Sequence, residues 1–413
     1  MRLPQFERYS ALFILLIAYI LNFTDRILIA SLFTPIKNEF QLNNFEIALL
    51  GSTAFVLFYT LLGLPFGRLA DKVSRKKMIA IGLAVWCLFS GLSGSANNFW
   101  QLFFCRVMVG VGEATLGPAA LSLLSFYFPK EKRASVQSIF SGAIAIGTSV
   151  AFLFGPRIEA QFGWRVAFQS IGYVGLIWVP FILMLKENTV AEKEKSIKRE
   201  LKIREEIDLI LSLPKKHPSL LWHNFGYALL GGVANSLTIW MPVYLSARFE
   251  IARVELGALI SVSIATVGLL GTVVGGILAD KVARKRKQGR LLTMALIALL
   301  MIPLYSFILF SNSLEAVKPA YFTLLGLSLT WLGAATADVH EIVHEGERGA
   351  AIGLYYFIVN WICYGLIPPL IGFISDKLGQ NIGSESLQSA LFIGPLLLCL
   401  SAGSLLYAKF LRD

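Results

Sequence analysis

Long apolar blocks alternate with short polar interruptions along the whole chain. Twelve blocks are long enough to cross a bilayer as helices, at about 9–33, 46–70, 78–97, 99–126, 134–157, 165–185, 218–246, 255–279, 291–311, 319–339, 349–373 and 387–408. The first block is too long for a signal-peptide core, and no small-residue cleavage site follows it, so it counts as a true span. The pattern predicts an all-α polytopic membrane protein. The block from 99 to 128 stands apart, because Arg106 and Glu113 interrupt its middle. Charges in hydrocarbon are costly and rare unless they face a protein interior or a water-filled cavity. Their seven-residue spacing places them two helical turns apart on one face, together with Gly110 and Gly117. The glycines let another backbone or a ligand come close. This stripe reads as a substrate or proton path. The competing reading is a structural ion pair that holds two helices together.

The first span carries a second polar face. Tyr19, Asn22 and Arg26 share it, with Asp25 one step round. So deep a face should look into a cavity, although an Asp–Arg pair near the outer end could also neutralise itself and snorkel. Asn44 is a plausible cap for the helix that follows.

Composition narrows the class. Of 413 residues, 56% are hydrophobic and only 15% charged, too apolar a balance for a soluble domain. The net charge of +11 could suggest nucleic acid, but its placement excludes that partner. With both termini inside, cytoplasmic segments hold 28 of the 37 Lys and Arg, outer segments hold seven, and only Arg26 and Arg106 lie deep within spans. That asymmetry orients a multi-pass protein and fits a bacterial inner membrane. Cys87, Cys105, Cys363 and Cys399 lie in apolar runs and read as small core residues. His340 and His344 are four apart but lack any accompanying ligand pattern, so no metal or other cofactor is expected. No nucleotide-binding loop of the GxxxxGK[ST] type occurs, which argues against ATP-driven chemistry.

An internal repeat sets the organisation. The second span ends in GRLADKVSRKK from Gly67, and the eighth in GILADKVARKR from Gly276. At this offset of 209 residues, eight of ten positions match, failing at Arg68/Ile277 and Ser74/Ala283. Two parallel six-span halves follow, at 1–186 and 218–413, joined by a basic linker at 187–217. The linker places Ile197, Leu201, Ile207 and Leu211 among dense charges, as an amphipathic surface helix would, or a solvated tether. In the motif, Gly67 permits close helix packing. Asp71 can receive an arginine such as Arg75, or face the positive N-terminus of a nearby helix. Gly276, Asp280 and Arg284 are the second copy. Such a contact can be made in one conformation and broken in another, so these six residues read as gating positions.

The paired motif, the twelve spans and the basic central loop resemble the major facilitator superfamily. The N-terminal half is similar to the spinster-like branch, through YILNFTDR in span one, GLPFGRLADKVSRK, RVMVGVGEATLGPAALSLLSFYFP in span four, KEKRASVQSIF and GWRVAF. The resemblance implies two pseudo-symmetric six-helix bundles whose spans one, four, seven and ten line a central cavity. It also implies that Asp25, Arg26, Arg106 and Glu113 form the coupling and binding centre. Spinster-like relatives in animals are linked to lysophospholipids and sphingoid phosphates. Span five partly fits the glycine series of drug–proton antiporters through Gly142, Gly147, Gly155 and Pro156, and equally fits a packing device.

In the second half, span seven offers Asn224, Asn235, Ser236, Thr238 and Trp240, and span ten offers Thr330, Trp331, Thr336 and Asp338. Asn235, Trp240 and Trp331 suit a ligand with a charged head and an apolar body. Asp338 and His340 lie near the inner end, where contact with lipid headgroups would explain them. No charge pair there matches Arg106 and Glu113, so the polar chemistry is expected to be loaded on the first half. The chain is therefore expected to be a monomeric secondary transporter, not an enzyme, moving a small amphipathic or anionic substrate with protons among membrane lipids. Glu113 is expected to titrate, with Arg106 controlling its charge and Asp25 as the competing group. Arg26 and Arg106 would hold an anionic headgroup, such as that of a lysolipid. A proton-coupled carrier of a small organic anion or drug is the alternative. A membrane-embedded lipid enzyme would need a nucleophile–base or metal constellation, and none is found.

Overall fold

The structure is a computed structural model that describes residues 4–187, 203–382 and 385–412. Among these, twelve helices are long and apolar enough to cross a membrane, from Gln5–Ser31 to Glu385–Phe410, one for each expected block. The chain divides into two compact units. One comprises Met1–Leu42 and Thr53–Glu200, the other Asn43–Ser52 and Leu201–Asp413. Residues 43–52 thus group with the second unit although their sequence neighbours group with the first.

In the first unit, span one packs on span five, span two on span four, and span three on spans four and six. In the second, span seven packs on span eleven, span eight on span ten, and span nine on span twelve. The one–five, two–four and three–six pairings recur as seven–eleven, eight–ten and nine–twelve, as a parallel duplication requires.

Both units interrupt the same member. Span four is two helices, Phe99–Glu113 and Leu116–Tyr127, and span ten is two helices, Leu314–Ser328 and Trp331–Ile342. In span four Pro118 accounts for the break, because its ring clashes with the carbonyl four residues back, at Ala114. The hydroxyl of Thr115 donates to the Gly112 carbonyl at 2.8 Å, and that of Thr330 to Leu327 at 2.8 Å, so each break is covered by a threonine. Spans two and eight also share a π-helical turn, at Leu49–Thr53 and Ile264–Gly268. Such turns mark places where a regular helix is locally unwound.

Span two begins one residue earlier than the sequence suggests. Asn43, not Asn44, is the cap: its side chain accepts from Glu46 N at 2.8 Å while Glu46 Oε2 accepts from Asn43 N at 2.9 Å. The reciprocal pair is what an Asn followed three residues later by Glu can make, and Asn44 has no such partner in sequence. Asn44 and Phe45 instead donate their backbone N–H groups to Asp376, at 2.9 and 2.7 Å.

The linker is helical over Ile203–Lys216. Leu213 is buried against spans seven and eleven, whereas Leu211 is exposed. Ile197 and Leu201 lie outside the described residues, as does the Ile207 side chain. The helix end is fixed by Glu347, which receives Lys216 Nζ at 3.2 Å and pairs with His217 Nε2 at 2.8 Å.

Candidate functional site

The first unit brings four charged side chains together. Span one supplies Asp25 and Arg26 and span four supplies Arg106 and Glu113. The helix at Phe99–Glu113 starts at Asn98, whose side chain accepts from Gln101 N at 3.0 Å, and runs through an apolar sequence. Small residues bring the neighbours close. A Cβ on Gly110 would lie 2.4 Å from the Phe55 carbonyl of span two, and one on Gly147 would lie 2.5 Å from the Ile20 carbonyl of span one. Gly155 likewise meets Ser31, so Gly147 and Gly155 of the glycine series pack helices together, while Gly142 faces open space.

The four charges pair crosswise. Arg26 donates to one oxygen of Glu113 twice, from Nε at 3.0 Å and from Nη2 at 2.7 Å. Arg106 lies 4.0 Å from Asp25 and donates from Nη2 to the Arg26 carbonyl at 3.4 Å. The expectation that Arg106 is the partner of Glu113 is therefore corrected. Seven residues of helix rise about 10 Å, too far for side chains on one face to meet directly. Asp25 turns to span three, where Ser90 Oγ donates to its Oδ1. Arg26 turns to span two, where its guanidinium sits 4.4 Å from the Phe55 ring and 4.7 Å from the Tyr59 ring, with Phe23 at 4.5 Å. Asn22 Oδ1 accepts from Arg26 at 3.3 Å. Tyr19 stacks on Phe140 of span five at 4.3 Å.

Asp25, Arg106, Glu113 and Asn22 are all buried. Yet Asp25 Oδ2, Glu113 Oε1, Asn22 Nδ2, and Arg106 Nε and Nη1 have no hydrogen-bond partner. Buried polar atoms are nearly always bonded, so a cluster of exceptions marks a place built for something besides stability. Sequence reasoning missed Ser90, Phe55 and Tyr59. The aromatic pair at 55 and 59, one turn apart beside a charged span, was the available signal.

Gly117 lies beyond the break, and nothing approaches within 4 Å of where its Cβ would be. It does not share a continuous helical face with Gly110. The same openness holds at Gly67 and Gly276, so neither glycine is in close helix contact in this conformation. The close approach in span eight is made one residue earlier, where a Cβ on Gly275 would lie 2.4 Å from Thr330. The Asp71 side chain lies outside the described residues. Arg75 is buried, and its backbone N–H donates to Glu187 at 2.7 Å. Asp280 is bonded to Arg290, from Nε at 2.7 Å, while Arg284 is exposed.

Two of the span-seven residues expected to touch substrate are fasteners. Asn235 Nδ2 donates to the Cys363 carbonyl at 3.2 Å and Trp240 Nε1 to the Pro368 carbonyl at 2.9 Å, both in span eleven. Trp331 is buried against Gly231, with its indole nitrogen unbonded. Asp338 is fully buried and accepts from the Tyr227 hydroxyl at 3.1 Å, which corrects its reading as a headgroup contact.

Residues 15–368 match the family model of the Major Facilitator Superfamily. The chain belongs to the major facilitator superfamily. It is 25% identical over 387 residues to an MFS-type efflux pump of Mycolicibacterium smegmatis, covering 93% of this chain and 88% of the pump. It is 26% identical over 410 residues to the sphingosine-1-phosphate transporter SPNS2 of Xenopus tropicalis, covering 94% of this chain and 77% of that one. The crystal structure of a bacterial homolog of the lysosomal transporter Spinster, inward-facing and unoccupied, superposes with a TM-score of 0.84 at 22% identity, over 99% of this chain and 98% of that one. The spinster-like resemblance thus extends through the second half. The chain is an integral, multi-pass membrane transporter of the secondary kind, and its relatives are transporters, not enzymes.

Proposed function

We propose that this transporter couples protons to the movement of an amphipathic anion by alternating access. The observation that carries the proposal is the Arg26–Glu113 contact, in which one buried carboxylate oxygen takes two donors from one guanidinium. A proton on Glu113 removes the countercharge of Arg26. An anionic headgroup can then take the place of the carboxylate, so proton and anion favour each other's binding. Phe23, Phe55 and Tyr59 offer the apolar surface for the rest of such a substrate. Arg106 would stabilise Asp25 and, through it, the position of span one. A lysolipid or other lipid phosphate is the favoured substrate class, supported by the sphingosine-1-phosphate relative. The efflux-pump relative favours a second reading, a small organic anion or drug.

Under this reading the six-span halves 1–186 and 218–413, joined by the linker 187–217, exchange access to the site, and the repeats at Gly67–Arg75 and Gly276–Arg284 make state-dependent contacts. The protein acts as a monomer in a bacterial inner membrane with both termini cytoplasmic, which the distribution of Lys and Arg supports. The test is flux of candidate lipid and small-anion substrates into proteoliposomes, with and without a pH gradient. Glu113→Gln keeps the shape of the acid without its charge. It should still bind substrate while gradient-driven flux falls on the order of tenfold and loses its pH dependence. Undiminished, pH-dependent flux would move the proton role to Asp25 or indicate a uniporter.

A further inference from the structure

The second unit contains a buried carboxyl that the proposal above does not use. Asp338 has a fully buried side chain. Its Oδ2 accepts from Tyr227, and its Oδ1 is buried with no hydrogen-bond partner. The nearest cation, Arg290 Nη1, stands 3.9 Å away and is already engaged. Arg290 donates from Nε to Asp280 at 2.7 Å and from Nη1 to Glu341. The side chains of Asp280 and Glu341 are 55% and 48% exposed, so one guanidinium reaches from the wet rim of the unit to its dry interior. Asp338 precedes Glu341 by three residues and lies on the same helical face, about one turn deeper.

The groups around Asp338 come from every neighbouring span. Span seven contributes Tyr227 and His223, whose rings are 4.6 Å apart. Span eight contributes Asp280, span nine Arg290, span eleven Tyr355, which is 6.0 Å from His223, and the end of span twelve Arg412. Glu341 lies on the same helix. Three carboxyls thus face two guanidinium groups. The two exposed carboxylates are solvated and bonded. The buried one has an unbonded oxygen, and a charge there, facing only a guanidinium 3.9 Å away that two other carboxylates already engage, is costlier than a neutral carboxylic acid, which needs only hydrogen bonds. His223 is fully buried beside Tyr227, and Trp331 Nε1 is buried and unbonded, which extends the polar pocket away from the rim.

We infer that Asp338 is a second proton-binding carboxyl, and that its charge sets how firmly Arg290 clasps Asp280 at the end of span eight. When Asp338 is neutral, Arg290 belongs to Asp280 and Glu341, which is the arrangement observed. When Asp338 ionises, it draws Arg290 inward and loosens the Asp280 end, the terminus of the second GILADKVAR motif. The proton is bound at Asp338 and released toward the Asp280–Glu341 rim or toward His223, with no other bond made or broken. This site is independent of Glu113 and stands if the Glu113 proposal fails.

The test is an infrared pH titration of the purified protein in lipid, following the C=O band of protonated carboxyls. A titrating band should persist in Glu113→Gln, vanish in Asp338→Asn, and shift in frequency and midpoint in Tyr227→Phe, which removes the hydroxyl bonded to Asp338 and is the fallback if Asp338→Asn does not fold. Thiol labelling of Lys281→Cys, in a background without the exposed Cys399, should change about threefold over the same pH range, and lose that change with the Asp338 band. A band unaltered by both Asp338→Asn and Tyr227→Phe would show that Asp338 stays ionised and overturn the proton site. A labelling rate that follows pH equally with and without Asp338 would overturn the link to Asp280.

Discussion

The two units share a plan and differ in where their polar groups end up. In the first, Asp25, Arg26, Arg106 and Glu113 meet between spans one and four as crossed ion pairs, with polar atoms left unbonded. In the second, Asn235 and Trp240 close on backbone carbonyls of span eleven, and the buried carboxyl, Asp338, accepts from Tyr227 while Arg290, 3.9 Å away, is held by Asp280 and Glu341 at the rim. The helix breaks at Thr115 and Thr330 occur in both. Duplication has therefore preserved the backbone device and not the chemistry placed on it. Groups bonded to backbone stay put when a transporter changes state. Groups paired with other side chains can change partner: the first unit places four of them between spans one and four, and the second places its set, Asp338 with Arg290, Asp280 and Glu341, at the end of span ten.

Removing one member of the crossed pairs should have the largest effect. Arg106→Ala leaves Asp25 buried without its cation and should cost about 3–5 kcal/mol of stability, read as a large fall in thermal unfolding temperature in detergent. Adding Asp25→Asn should recover part of the loss, because the orphaned charge goes with it. Equal unfolding temperatures for the single and double variants would mean that the pair is not a unit.

The next comparison is between glycines of one span. Gly110→Ala would push a methyl to 2.4 Å from the Phe55 carbonyl, backbone that cannot easily give way. It should cost about 1–3 kcal/mol and displace Arg26 from its aromatic neighbours, lowering flux as well as stability. Gly117→Ala meets nothing within 4 Å and should stay within about 0.5 kcal/mol of the parent. Similar losses in both would contradict the geometry of the break.

How far the sequence could be read follows from the range of each signal. The twelve spans were legible because an apolar run about 20 residues long has few other uses in a protein. The four charged residues of the centre were legible because each is anomalous in its own span. Their pairing was not. Which arginine meets which carboxylate depends on the rotation of span one against span four, and no residue spacing within either helix encodes that. The break after Glu113 was available in principle, since Pro118 sits in the middle of an apolar span. In the second half, Asn235 and Trp240 carried the same polar signature as ligand-facing residues, and only the nearness of span eleven shows where their donors go.

Smaller still should be the effect of undoing one of those fasteners. Trp240→Phe removes a single indole N–H and leaves the Pro368 carbonyl unpaired, at a cost of about 1 kcal/mol. Substrate affinity measured at equilibrium should not change. A clear loss of affinity without loss of stability would return Trp240 to the substrate path.

The smallest effect belongs to a cluster with the same chemistry but a largely exposed carboxylate. Glu39, between spans one and two, accepts from Trp164 Nε1 at 2.6 Å and from Arg165 Nη1 at 2.5 Å. Slight burial raises its pKa, but the bonds from Trp164 and Arg165 outweigh that and hold the carboxyl below its ordinary value. A carboxyl lowered on folding contributes stability above its unfolded pKa and loses it as pH falls through the folded one. Glu39→Gln should therefore flatten the acid-side decline in unfolding temperature while leaving neutral pH nearly unchanged. An identical acid profile would show that the cluster carries no linked proton.

Span two has one further consequence. Residues 43–52 are grouped with one unit and residues 53–72 with the other, and the π-helical turn at Leu49–Thr53 lies at the change. The chain also passes between units at residues 42/43 and 200/201, outside the membrane-spanning helices. At 52/53 it passes inside a helix, which has almost no slack, because consecutive Cα atoms are held 3.80 Å apart. In mechanical terms span two is a shaft shared by two bodies, with its one irregular turn as the coupling. Any displacement of one unit relative to the other must appear as bending, unwinding or undocking of that shaft near residues 49–53, and its stiffness belongs to the work of every transport cycle.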